Sequence, residues 1–597
     1  MAYQSIPDLF LQSCRKGGDA IALRRKVSGR WEATTWTEWE AYVRLLGKGL
    51  ISLGQTVGDR VAILSNTRQE WVMADMAIIC SGGITVPIYQ SNLAHECHYI
   101  LEDSESLFIF VEDLKQLHKI LEVRHDLPRL KKIILLSGSY HGDPDVLTLD
   151  DLVERGRKED DSAYEHAMNS ITLSDVASLV YTSGTTGRPK GAMLTHEGFL
   201  YAAESVHGLL RRTPKDETLL FLPLAHIFAR IIQFICIRGN ITLSFAESIE
   251  KLIDNIAEIR PTFMGSVPRI YEKVYTKIIG DVQEAGGTKE KLFDWSLAVG
   301  KDVSRHIQKG ESIPAGLRAR YLVAQKLVFS KIKQRFGGRL QFFVSGGAPL
   351  SKEVAEFFHA ADILILEGYG LTETTAVTNM NRPDSFKFAT VGQPIPGVEQ
   401  KIAPDGEILS RSAGLMKGYY KKEAETREVI DGDGWFHTGD IGEFDADNFL
   451  RITDRKKDII VTAGGKNIAP QNIENHLKTH PFISQAMVYG DRRKYCTALI
   501  TLNDDEVARF ARTNRIPYDD VKELANQSEI RRRVEDIIAD KNRDLASYES
   551  IKKFEIIPDD FSQEDGELTP TLKVKRQFVT QKYKALLDGM YDEKLYE

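Results

Sequence analysis

Residues 181–191, Tyr-Thr-Ser-Gly-Thr-Thr-Gly-Arg-Pro-Lys-Gly, follow directly on the apolar run Val176–Val180. A buried strand that empties into glycines, hydroxyls and one closing cation constrains the fold more than any other stretch. Glycines let backbone N–H groups approach an anion closely, hydroxyls add donors, and Lys190 supplies a point charge. The stretch therefore reads as a polyphosphate cradle set between a strand and a helix. An ordinary polar surface loop is the competing reading, and the hydroxyl density with the closing Pro-Lys-Gly argues against it. A P-loop is excluded by spacing, because that motif places the lysine beside the second glycine and a hydroxyl after it. Here Arg188-Pro189 separate Gly187 from Lys190, and Gly191 follows.

The surroundings of the cradle are those of an α/β fold. Val61–Leu64, Ile84–Val86, Leu107–Val111 and Ile133–Leu136 have the composition of buried strands, and Trp36–Leu53 and Gln69–Cys80 read as helices between them. The pattern recurs downstream. A strand over Leu340–Val344 enters Ser345-Gly346-Gly347-Ala348-Pro349, with a helix from Ser351, and Ile363–Leu366 enters Glu367-Gly368-Tyr369-Gly370. Ligands of such sheets gather at the carboxyl ends of the strands, so these loops are expected to line one crevice. A chain of 597 residues exceeds one ordinary core. The charged joint Asp454-Arg455-Lys456-Lys457-Asp458 reads as a hinge, giving domains of 1–453 and 458–597 joined through 454–457.

Charge bounds the partners. A net charge of −7 leaves no basic excess to neutralise a nucleic-acid backbone, so anions must be bound by a few placed cations. Five scattered cysteines without CxxC spacing point to reduced thiols in a cytoplasmic setting, with neither zinc site nor disulfide framework. No apolar run reaches the ~20 residues of a membrane span. The nearest, Trp71–Tyr89, is interrupted by Asp75 and by Gly82-Gly83.

Further motifs follow in order: Leu222–Phe228 around His226, Leu371-Thr372-Glu373-Thr374, Gly414–Tyr420, Trp435–Asp440, Ile452–Lys457, Ala463–Pro470 and Gly566–Arg576. As an ordered set they resemble the adenylate-forming superfamily of acyl-CoA synthetases, adenylation domains and luciferases, over nearly all of the chain after residue 35. The resemblance implies a large N-terminal domain of layered β-sheets and helices and a smaller, mobile α+β C-terminal domain. It implies ATP, Mg²⁺ and coenzyme A as cofactors. Thr182, Ser183, Gly184, Thr185, Thr186, Gly187 and Lys190 would hold the β- and γ-phosphates. Gly346, Gly347, Ala348, Glu367, Gly368, Tyr369 and Gly370 would form the adenine pocket, with Tyr369 stacked on the base. Thr372 would contact the α-phosphate and Glu373 the metal. Asp440 would meet the ribose, Arg455 the same sugar or the α-phosphate, and Ile452 belongs to the same nucleotide-binding set. His226 would orient the substrate carboxylate, and Gly464 and Gly465 would let the pantetheine arm pass. Lys573 matches the lysine that bridges carboxylate and α-phosphate. Lys575 would share its side in a strand, and Leu572 replaces the glycine that many relatives carry. Lys457 would be the pivot of domain rotation.

Within that superfamily the motifs around His226, Ser266–Lys273, Ile452–Lys457 and Leu568–Lys573 look like the long-chain fatty acyl branch. This implies an AMP-forming long-chain fatty acid–CoA ligase, with an apolar tunnel among residues 226–245 and 263–271 and with Arg230 available to an anionic headgroup. A ligase that hands acyl-AMP to a carrier protein, a synthetase for a different acid, and a non-catalytic binding protein are the alternatives. Retention of Lys190, Glu373, Asp440, Arg455 and Lys573 together opposes the last. Peripheral contact with the inner face of the cell membrane and a homodimeric state stay open.

Overall fold

The short β-branched runs form strands because a parallel sheet covered by helices buries them on both faces. In the computed structural model, which describes residues 3–182, 188–463, 466–569 and 572–591, a seven-stranded sheet collects four of them. Its order is Val146–Thr148, Lys132–Leu135, Phe108–Val111, Arg60–Leu64, Ile84–Ile88, Val176–Thr182, Lys190–Thr195. Every pairing is parallel except the last. The helix Trp36–Ser52 starts on a Thr35–Glu38 capping box, the reciprocal arrangement that satisfies two orphan donors at once. The helix Gln69–Cys80 is buried along its whole length, Asp75 included.

One expectation is corrected here. The stretch after Val176–Thr182 does not lead into a helix. It closes a hairpin with Lys190–Thr195, in which Thr182 pairs with Lys190 and Tyr181 with Gly191. A helix, His196–Leu210, follows only after that second strand. In Lys190–Thr195, Gly191, Ala192 and Leu194 are buried and the others partly exposed, and the strand lies at the edge of the sheet.

A second sheet sets Phe263–Ser266, Phe342–Ser345 and Leu364–Tyr369 in parallel and adds Asn379–Met380 and Gln393–Pro394 antiparallel. Its register brings Ser266, Ser345 and Glu367 into one row at the carboxyl edge. The third strand continues through Glu367 and Gly368 to Tyr369, so the motif read as a loop is the strand's own end. A third sheet joins Ile21–Val27 and Arg30–Thr35 to Thr242–Phe245 and Glu217–Leu220, and a fourth, antiparallel, ends in Phe436–Phe444 and Leu450–Arg455.

Beyond this point the interior changes hands. The large apolar clusters of the front portion draw on residues between Ile6 and Phe436. Two others draw only on residues from Ile460 onward, around the sheet Ile483–Tyr489, Cys496–Leu502 and Ile551–Ile557. The two groups share no member. All five cysteines are free and buried, and among the described residues no helix is long and apolar enough to cross a membrane.

Candidate active site

The carboxyl ends of strands from the first two sheets, the segment 451–460, the helix Pro470–Lys478 and residues 572–578 enclose one cavity of about 2520 Å³. Thr182, Lys190, His226, Gly346, Gly347, Ala348, Glu367, Gly368, Tyr369, Gly370, Thr372, Glu373, Asp440, Ile452, Arg455, Lys457 and Lys573 all line it. Ser183, Gly184, Thr185, Thr186, Gly187, Gly464 and Gly465 lie outside the described residues.

At one end stands Lys190, the first residue of its strand, with its ammonium 5.1 Å from the Tyr419 ring centre. The Tyr419 hydroxyl donates to Glu373 at 2.8 Å, and Met416 N–H donates to Glu373 O at 2.7 Å. Met193 N–H, Lys417 N–H and Tyr420 N–H stitch the Gly414–Tyr420 segment to the Lys190 strand. That segment therefore sets the spacing between cation and carboxylate, and Tyr419 is a cavity residue that sequence reasoning left unassigned. Among the described residues no three His, Cys, Asp or Glu side chains cluster as a metal site. A lone carboxylate beside a cation suits Mg²⁺, which is commonly held by one or two carboxylates together with substrate phosphates.

Elsewhere on the cavity wall three residues form a chain. Tyr369 donates its hydroxyl to Asp440 at 2.6 Å, and Asp440 faces Arg455 at 3.2 Å. Burial pushes the Asp440 carboxyl up, and Arg455 opposes that shift. Asp440 and Arg455 are register partners of adjacent antiparallel strands, so the backbone imposes their pairing. Gly370 has no room for a side chain, because a Cβ there would lie 1.9 Å from Ala376 O. One Glu367 oxygen accepts from Leu350 N–H at 3.3 Å, while its other oxygen and the neighbouring Ser345 Oγ are buried without a partner. Burial lifts the Glu367 carboxyl to about 8, so it is mostly protonated at neutral pH.

His226 caps the helix Ile227–Gly239, its Nδ1 accepting from Phe228 N–H at 3.2 Å. That bond puts the imidazole proton on Nε2. Burial, and then the Lys573 charge, lower the ring to about 4, so it stays neutral and donates. Behind it Ile227, Ile231 and Ile235 recur at helical spacing and line the cavity with Phe263 and Val267. Val206 and Leu210, from the helix His196–Leu210, extend this wall beyond the stretches 226–245 and 263–271 where the tunnel was expected. Arg230 is not available to a headgroup. It is wholly buried, pairs with Asp75 at 2.6 Å, and donates to Ser178 at 2.6 Å.

Lys573 does not sit in a strand. Leu568 bridges Val574, and Thr569 and Lys573 bond to each other, closing a tight turn in which Leu572 has φ +61°. This is the left-handed region that favours glycine, and here a leucine occupies it. Lys575 caps the helix Arg576–Lys582 and is exposed, whereas Lys573 is lowered to about 8 by burial and by Arg455. Arg576 anchors the turn by donating to Glu474 at 2.7 Å and to Val488 O at 2.8 Å. The posture of these residues against the front portion is kept by few polar contacts. Arg269 donates to Ser484 O and Oγ at 2.6 and 2.7 Å, Arg509 donates to Gly280 O at 2.8 Å, and Lys478 faces Glu272 at 3.5 Å.

The chain that builds this site is similar to known proteins over nearly all of its length. Residues 10–420 match the family described as AMP-binding enzyme, and residues 457–595 match the AMP-binding enzyme C-terminal domain. The chain is 37% identical over 596 residues to the long-chain-fatty-acid–CoA ligase FadD15 of Mycobacterium bovis, covering 99% of this chain and 98% of the relative. It is 33% identical over 625 residues to the long-chain-fatty-acid–CoA ligase ACSBG2 of Xenopus laevis, covering 99% and 84%. The fold is also that of the A-PCP didomain of carboxylic acid reductase from Segniliparus rugosus in complex with AMP, with TM-score 0.79 at 21% identity, covering 99% of this chain and 82% of that one. Matched over most of its length by the family and over nearly all of it by relatives of the same architecture, the chain belongs to the AMP-binding enzymes.

Proposed function

We propose that the protein is a long-chain fatty acid–CoA ligase that uses ATP and Mg²⁺ to form acyl-AMP, releasing pyrophosphate, and then transfers the acyl group to coenzyme A, releasing AMP. The observation that carries this reading is the position of Lys573 and His226 together between the nucleoside end of the cavity and its apolar wall. A carboxylate is a poor electrophile, and activation as a mixed anhydride with AMP supplies a good leaving group. In the first step the carboxylate oxygen attacks the α-phosphorus and the bond to pyrophosphate breaks. His226 donates its Nε2 proton to orient the carboxylate, and Lys573 bridges it to the α-phosphate. Lys190 meets the charge that grows on departing pyrophosphate. Glu373 is the residue that would hold Mg²⁺, which would supply further charge stabilisation. Tyr369 receives the adenine, and Asp440 and Arg455 receive the ribose.

The second step requires Lys573 to leave. The separate interiors on either side of residues 437–459 support a rotation of residues 458–597 about Lys457. The Lys456 N–H donates to Gly439 O, and the Asp458 and Ile459 N–H groups donate to Arg455 O. The Lys457 N–H has no such partner among the described residues. Placement in the cytoplasm, against the inner face of the membrane, belongs to the same reading and accords with five free thiols. The test is AMP release measured with CoA across acids from acetate to oleate. Release should rise with chain length, since each buried CH₂ contributes about 0.8 kcal/mol. A flat or short-chain profile defeats the long-chain assignment, and acyl-AMP without thioester favours transfer to a carrier protein.

A further inference from the structure

The helix Ala315–Ala324 continues through a π-helical turn, Gln325–Phe329, into Ser330–Arg335. One face of it is core: Ala324, Phe329 and Ile332 are buried. The opposite face is also apolar, yet it faces solvent. Leu322, Val323 and Leu327 are 59%, 49% and 43% exposed, and Ala319 continues the stripe at the same helical spacing. A stripe of this spacing marks a face that packs against something, and among the described residues nothing covers it. Around the stripe stand Arg318, Arg320, Lys326 and Lys331, all exposed and with no ion-pair partner among the described residues. Lys333 and Arg335, further along, pair with Asp362 and Asp281. No acidic residue occurs between Glu311 and Glu353, in a chain whose net charge is −7. The local positive field is thus the inverse of the whole.

We propose that this outward face of residues 315–335 docks on the surface of an anionic phospholipid bilayer. An apolar stripe flanked by unpaired Lys and Arg is the composition of a helix that lies in the interfacial plane, its apolar side chains in the acyl boundary and its cations among the phosphates. Charge decides against the simplest rival, a second copy. A twofold contact through this face would set Arg318, Arg320 and Lys326 against their own copies. A nucleic acid would meet the cations but leave Leu322, Val323 and Leu327 unburied. The proposal rests on the membrane placement given above and names the surface that would carry it; it is tested without substrate, so it and the ligase reading can fail separately.

The experiment is flotation of the full-length protein with vesicles of phosphatidylglycerol and phosphatidylcholine in equal parts, and with phosphatidylcholine vesicles alone, at low and high salt. Binding is expected to the anionic vesicles, weakened by salt, and not to the neutral ones. Arg318→Gln, Arg320→Gln and Lys326→Gln should each weaken partitioning roughly fivefold. The double substitution Leu322→Asp with Leu327→Asp should abolish it. None of these residues lines the cavity, so acyl-AMP formation with a detergent-dispersed acid should be unchanged and reports correct folding. Absence of binding to anionic vesicles overturns the proposal, and so does equal partitioning of folded variants and parent. Loss of a dimer in the leucine double variant, read by sedimentation, with vesicle binding intact assigns the face to a second copy instead.

Discussion

Tyr369 donates to Asp440 across 71 positions of sequence at 2.6 Å, so the aromatic plate and the acidic acceptor are held as one unit in the cavity wall. Tyr369→Phe keeps the ring and deletes the donor. Hydrogen bonds to charged groups contribute about 1.5–3 kcal/mol. The KM for ATP in pyrophosphate exchange is therefore expected to rise at least tenfold, with a smaller change in kcat. An unchanged KM would show that the pair does not order the nucleotide site.

Lys573→Ala should lower acyl-AMP formation about 10²–10³-fold, the usual effect of removing one preorganised transition-state contact. The free-enzyme amine titrates near 8. The kcat/KM for adenylation should accordingly be full below that pH and fall above it as the ammonium is lost. Lys573→Arg, which does not titrate in this range, should be slower and flat. A parent profile that stays level to pH 10 would remove Lys573 from the charge-bearing role.

Lys457→Pro costs no intramolecular backbone bond, because the amide it removes has no partner among the described residues, and it stiffens the proposed pivot. Acyl-AMP formation, followed by pyrophosphate exchange, should stay within a few-fold of the parent. Thioester formation from pre-formed acyl-AMP should fall by orders of magnitude. Equal loss of both half-reactions would place the pivot elsewhere.

Glu367 provides a stability test with a definite sign. Its carboxyl titrates near 8 in the fold and near 4.5 when exposed, so between those values the folded chain holds a proton that the unfolded chain has released. Stability should therefore decline as pH rises from about 4.5 to 8. Glu367→Gln should match the parent Tm at pH 4 and exceed it at pH 8. Parallel Tm curves would mean that the carboxyl is not held neutral.

Arg230 and Asp75 test the correction made to the headgroup assignment. Arg230→Met leaves the Asp75 carboxylate buried without its partner, and breaking a buried pair in this way costs about 3–5 kcal/mol. The variant should unfold at lower denaturant concentration, and Asp75→Asn combined with Arg230→Met should recover part of the loss. A variant of normal stability but altered acid preference would return Arg230 to the substrate.

Elements whose signal is local were legible in the sequence. The Gln69–Cys80 helix and the strands near residues 61, 84, 108 and 133 announced themselves as apolar runs, since burial on both faces leaves little else in them. Of the residues chosen for the cavity, Thr182, Tyr369 and His226 were legible because each sits on a strand end or cap whose own sequence marks it. What escaped depends on distant partners. Asp75 lies 155 residues from Arg230, and nothing near either one announces the pair. The strand Lys190–Thr195 begins with Lys-Gly-Ala, which resembles a helix entry until Val176–Thr182 is beside it. Arg576 and Glu474, 102 residues apart, became recognisable as the anchor of the Lys573 turn only in three dimensions.

The divided interiors have a consequence for the economy of movement. Were the tail portion to swivel as proposed, what would part company is a set of guanidinium and ammonium links such as those of Arg269, Arg509 and Lys478, each of which water can solvate as it opens. Neither oily interior would be wetted. The two stances would then differ by exchanges of solvent for polar partners, which nearly cancel, and whichever small molecule occupies the gap would have leverage enough to choose between them.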